Sequence, residues 1–138
     1  MKPYMKTKFA IGCLVQWYEC DIIEEYVDSL KDAIDTYDGE VIVDFTICIN
    51  QDLEKCIDDL KLEECHKKIL NIVTDVKCAT KVTLDLITIA DYRREFNSKY
   101  CESVDVLMWG ESDSLIPKQT FNILDNLHKM SLQNNNPK

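Results

Sequence analysis

Glycine is scarce in this chain. Three in 138 residues, at positions 12, 39 and 110, are too few and too dispersed for a glycine-rich loop that cradles phosphate. Long apolar runs are also missing: none approaches the roughly 20 residues that a membrane-spanning helix needs. The basic start, residues 1–8, leads into a short apolar run that meets Gln16 without a small-residue cleavage site, so no secretory signal is expected. Positive charge is in the minority, with 16 Lys and Arg against 25 Asp and Glu and a net charge of −9. That balance argues against a nucleic-acid partner, whose phosphates are held by clustered basic side chains. Seven cysteines (13, 20, 48, 56, 65, 78 and 101) show no Cys-x-x-Cys spacing. They read as neither a disulfide framework nor a structural zinc site. Most fall at apolar positions, where a thiol acts as a small hydrophobe, and the expected compartment is the reducing cytoplasm. His66 and His128 have no partner set for nucleophilic catalysis.

What is present fits one soluble globular domain, with 46% hydrophobic and 30% charged residues. Residues 9–15 form an apolar run typical of a doubly buried strand. Ile23, Tyr26, Val27, Leu30 and Ile34 then recur at helical spacing within 21–37. Residues 41–49, rich in β-branched side chains, predict a second strand. Helical pattern follows over 52–60 and 63–76, as one broken helix or two. A strand over 81–87, a helix within 88–100, a strand over 104–109 and a helix over 118–130 complete the order. In the last helix Phe121, Leu124 and Leu127 or His128 are expected to face inward. Strands alternating with helices predict an α/β fold, a three-layer sandwich on a mostly parallel sheet, with ligands at the carboxyl ends of its strands. The expected division is an N-terminal extension (1–8), a domain (9–130) and a disordered tail (131–138).

The stretch Val106-Leu107-Met108-Trp109-Gly110-Glu111-Ser112-Asp113 carries the most chemistry. A buried strand ends in two acids, Glu111 and Asp113, separated by one small residue, and Pro117 closes the loop. Carboxylates at alternate positions beyond a strand's end can converge on a hard cation, Mn²⁺ or Mg²⁺, which can in turn hold a diphosphate. The cation would also reconcile an anionic ligand with an acidic chain. The plainer reading is two solvated acids in a surface turn.

The segment resembles the Asp-x-Asp region of GT-A-fold glycosyltransferases, particularly the family 2 group of nucleotide-sugar enzymes. Three blocks carry the resemblance. Gln16-Trp17-Tyr18-Glu19, after the first strand, is similar to that family's Pro-x-Tyr-Asn-Glu turn, with Gln16 in place of proline. The second strand ends in Asn50-Gln51-Asp52, where the family has acidic residues that grip base and ribose. Tyr92-Arg93-Arg94, the strand, Glu111-x-Asp113 and Pro117 form the third block, with Glu111 for the first Asp.

The resemblance implies a domain that binds a nucleotide-diphospho-sugar, a UDP-sugar above all, and transfers its sugar to an acceptor. It places Gln16, Trp17, Tyr18, Glu19, Asn50, Asp52, Arg93 and Arg94 around the nucleotide, and Glu111 and Asp113 on Mn²⁺ or Mg²⁺. The acceptor half that family members carry beyond this point, with its catalytic base, does not follow, so a partner chain or a missing C-terminal half is expected. Two alternatives stand beside this reading: a catalytically silent GT-A-like binding or assembly module, and a response-regulator-like domain, whose acidic cluster Glu19 and Asp21 match out of register.

Overall fold

The two apolar runs become the inner strands of a four-stranded parallel sheet. The computed structural model describes residues 6–48, 59–74, 76, 79–85 and 87–134. Its strands are β1 (Phe9–Gln16), β2 (Val41–Cys48), β3 (Ala79–Asp85) and β4 (Val106–Trp109), in the spatial order β3-β2-β1-β4. All neighbouring pairs are parallel, with Ile11 opposite both Val43 and Met108. β1 and β2 are covered on both faces, which is why their sequences are near-continuous in apolar residues rather than alternating.

A 3₁₀ turn (Trp17–Asp21) and α1 (Ile23–Thr36) follow β1. The other helices are α2 (Asp59–Val73), α3 (Ile89–Tyr100) and α4 (Thr120–Asn134). From β1 to β3 the chain steps one way across the sheet, then returns past β2 and β1 to place β4. Right-handed crossovers then require α3 on the opposite face from α1 and α2. The packing agrees. Phe9, Ile11 and Phe45 share a core with Tyr26 and Leu30 of α1, Ile69 of α2 and Phe121 of α4. Ala10 on the other face packs with Tyr92, Phe96 and Tyr100, spaced four apart along α3. The fold is therefore the α/β, three-layer arrangement that the element order predicts.

Several boundaries differ from the sequence reading. Residues 131–134 continue α4 rather than starting a disordered tail. Within α4, Leu127 is exposed and Asp125 is buried in its stead. Asp125 is tolerated there because its Oδ1 accepts the Thr7 backbone N–H at 2.9 Å and Lys129 lies 3.1 Å from Oδ2. Thr7 is itself buried, so the packed domain begins before residue 9. Residues 17–21 form a 3₁₀ turn, and α1 starts only at Ile23. The helix expected over 52–60 lies mostly outside the described residues, as do Asn50 and Asp52.

Candidate functional site

Strand order reverses between β1 and β4, and a crevice opens at their carboxyl ends, where open parallel sheets bind ligands. This cleft of about 260 Å³ has three walls. Gly12, Leu14, Gln16 and Glu19 come from β1 and its turn, Ile89, Tyr92 and Arg93 from α3, and residues 109–113 from the end of β4 and the loop after it.

Local geometry explains how the acidic loop reaches the cleft. The β1–β4 ladder continues one step past the strand, with the Gly110 N–H donating to the Gly12 carbonyl at 2.8 Å. A side chain at 110 would start 1.8 Å from the Tyr26 hydroxyl, so this close approach needs glycine. Ser112 then turns inward and is 5% exposed, while Glu111 and Asp113 on either side face solvent. The Glu19 carboxylate accepts the Ser112 hydroxyl and, at 2.7 Å, the Gln16 backbone N–H. Glu19 thus ties the β1 turn to the β4 loop.

Arg93 follows the buried Tyr92 on α3 and so emerges at the rim. Its guanidinium lies 4.6 Å from the Trp109 ring centroid, a cation–π distance, and its Nη2 is 3.7 Å from Glu111 Oε1. Arg94, about 100° further around the helix, pairs with Asp91 on the outer surface instead. Charge in the cleft is felt beneath it. Burial pushes the Cys13 thiol well above its ordinary range, and Glu19, Glu111 and Asp113 push it further in the same direction.

The sequence-derived set therefore divides. Gln16, Glu19, Arg93, Glu111 and Asp113 converge on the cleft. Trp17 is buried in the core, and Tyr18 is exposed away from the cleft lining. Arg94 points away. Ser112 and the aliphatic wall of Leu14 and Ile89 were not singled out by sequence, and Tyr92 entered only as the residue before the two arginines. Ser112 had a signal, as the small residue between two acids; the others read as ordinary core positions.

The fit to a metal can be tested on the donor set. Among the described residues, no group of three or more His, Cys, Asp and Glu side chains is placed to hold an ion. Two exposed carboxylates, Glu111 and Asp113, line the cleft, and both are hard oxygen donors. Mg²⁺ and similar ions are commonly held by one or two carboxylates, with substrate phosphates and water completing the shell. The donors fit a cation of that kind and do not fit a preformed protein cage.

A scan against protein-family models gives no match, and a search of curated proteins gives none either. Among solved structures the chain is similar to S. aureus TarS 1–349, with a TM-score of 0.53 over 89% of this chain at 16% identity. The match covers 32% of that chain, so this protein spans about a third of the structure it resembles. At such identity the likeness shows the fold alone, an α/β domain on a parallel sheet. No described helix is long and apolar enough to cross a membrane.

Proposed function

We propose that this domain binds a nucleotide-diphospho-sugar, most plausibly a UDP-sugar, through Mn²⁺ or Mg²⁺, and serves transfer of the sugar to an acceptor. The observation that carries the reading is the meeting of Glu111, Asp113, Arg93 and Trp109 in the cleft at the reversal of strand order. In this reading Asp113 holds the cation directly and Glu111 either shares it or contacts the ribose. Arg93 gives up Glu111 for a phosphate oxygen, which its loose 3.7 Å pairing allows. Trp109, half exposed beside the acids, offers a face for a base or sugar ring. A divalent cation, when bound, supplies charge stabilisation of the diphosphate leaving group. Glu19 holds the β1 turn and the β4 loop together.

One observation favours a second reading, a silent binding or assembly module. Glu19 already accepts two hydrogen bonds and Glu111 faces Arg93, so neither acid stands ready as a general base for an acceptor. Calorimetry with UDP, with and without Mn²⁺, on the native chain and on Asp113→Ala tests the site. Binding that needs both the metal and Asp113 is expected. Equal binding by the variant would remove Asp113 from the site. Sugar-nucleotide hydrolysis or transfer, once binding is established, would set aside the silent module.

A further inference from the structure

We propose that Cys20 and Cys65 are a modification site: an oxidisable dithiol that closes to a disulfide and staples the cleft's β1 turn to α2. Their sulfurs lie 3.3 Å apart across 45 residues of sequence, in a buried contact between the 3₁₀ turn and α2. A disulfide requires about 2.05 Å between sulfurs, so each has to move by only roughly 0.6 Å. A second link already fixes the register of the two elements, since Lys68 Nζ of α2 lies 2.6 Å from Asp21 Oδ1 of the turn. Cys48 and Cys101 are directed elsewhere, at the backbone carbonyls of Ile87 and Ser98.

The plainer reading is that both thiols act as small hydrophobes. Spacing in the sequence does not separate the two readings; the facing sulfurs do. Hydroperoxide is the oxidant class. One sulfur attacks the peroxide, the O–O bond breaks, and a sulfenic acid and a water form. The second sulfur then displaces the hydroxyl as a second water, and the S–S bond closes. Two thiols and one hydrogen peroxide thus give one disulfide and two waters. Burial first, then the hydrogen bond to Cys65, pushes the Cys20 thiol above its ordinary range, which keeps thiolate scarce and slows closure. The turn carries Gln16 at its head and Glu19 within it, so the staple stiffens one wall of the cleft.

The full chain, treated with hydrogen peroxide and then alkylated, is mapped by peptide mass spectrometry without reduction. A Cys20–Cys65 linked peptide should dominate over every other pairing of the seven cysteines, and dithiothreitol should reverse it. The oxidised chain should melt about 5–10 °C higher, with slower amide exchange over residues 16–21. Cys65→Ser should abolish both changes, and Cys101→Ser should preserve them. Alkylation of both Cys20 and Cys65 after prolonged oxidation, or linkage through other cysteines, overturns the proposal. The map on the native chain decides this even if Cys65→Ser fails to fold. None of these readouts depends on nucleotide binding, so the staple and the proposed function can fail separately.

Discussion

Asp44 on β2 shows what a buried carboxylate requires of its neighbours. It is 6% exposed, and Tyr92 and Tyr100 donate to its two oxygens at 3.0 and 2.8 Å. Burial, with the Asp44 charge beside them, pushes both phenols above their ordinary range, so they stay protonated donors. Lys99 lies 3.8 Å away but is substantially exposed and adds little. Asp44→Ala would leave the Tyr100 phenol without its acceptor and Tyr92 with only the Asp44 backbone carbonyl at 3.4 Å, at a cost of about 1–3 kcal/mol. Asp44→Asn keeps an acceptor and should cost less. Urea unfolding of the two variants checks the order, and equal losses would show that the phenols find other partners. The same helix places its two arginines differently, Arg93 at the cleft and Arg94 on the outer surface. Arg93→Ala should weaken Mn²⁺-dependent UDP binding about 10-fold or more, as expected for losing a charge-assisted hydrogen bond. Arg94→Ala should leave that affinity unchanged, because its partner is Asp91 on the outer surface. Calorimetry on the pair tests whether the cleft or the surface carries the phosphate contact.

At the scale of elements, the sheet and its helices were legible because the burial that shapes them also writes their sequence. Doubly covered β1 and β2 are near-continuous in apolar residues, and α1 carries its stripe at Ile23, Tyr26, Val27 and Leu30. The reading failed where a polar group took a core position. In α4 the inward stripe was read as Phe121, Leu124 and Leu127 or His128; Phe121 is buried and Leu124 and His128 are half-buried, but Leu127 is exposed and Asp125 takes a buried place. Only the fold brings the Thr7 N–H to that carboxylate, and residue 7 is far away in sequence. The cleft was half legible for a similar reason. Glu111, Asp113 and Glu19 stand out locally, but the choice between Arg93 and Arg94 needed the fold, which sets Arg93 beside Trp109 and Glu111 and Arg94 beside Asp91. Asp125 also makes α4 docking depend on pH. Burial pushes its carboxyl up, but the Thr7 hydrogen bonds and Lys129 outweigh that and bring it down to about 2, from 3.8. A lowered folded value stabilises the protein above the unfolded value, and the contribution fades as pH falls from about 4 towards 2. Asp125→Asn should therefore be less stable than the native chain near neutrality, by about 1–2 kcal/mol. The gap should narrow as pH falls below about 4 and close only at about pH 2 and lower in acid-unfolding curves, and a gap that does not narrow over that window would refute the assignment.

At the scale of the whole molecule, the question is how a chain of net charge −9 would hold a diphosphate. Long-range attraction works against such a ligand, and Arg93 is the one basic side chain that lines the described cleft. On the proposed reading, affinity would come from a cation held between protein carboxylates and phosphate, and the two ligands should bind interdependently. Linkage gives this a direct measure. A ligand that binds only the folded state stabilises it by RT ln(1 + [L]/Kd), about 2.7 kcal/mol at a hundred times Kd. Mn²⁺ alone, facing two exposed carboxylates, should raise the melting temperature little, and UDP alone should not raise it. Together they should raise it by several degrees, and Asp113→Ala should erase the joint effect. A shift with UDP alone would mean that Arg93 and the aromatic wall suffice and that the acids serve another purpose. A full shift with Mn²⁺ alone would mean a metal site complete without phosphate, which two carboxylates do not provide. The joint requirement is the signature of a site whose coordination shell the substrate itself completes.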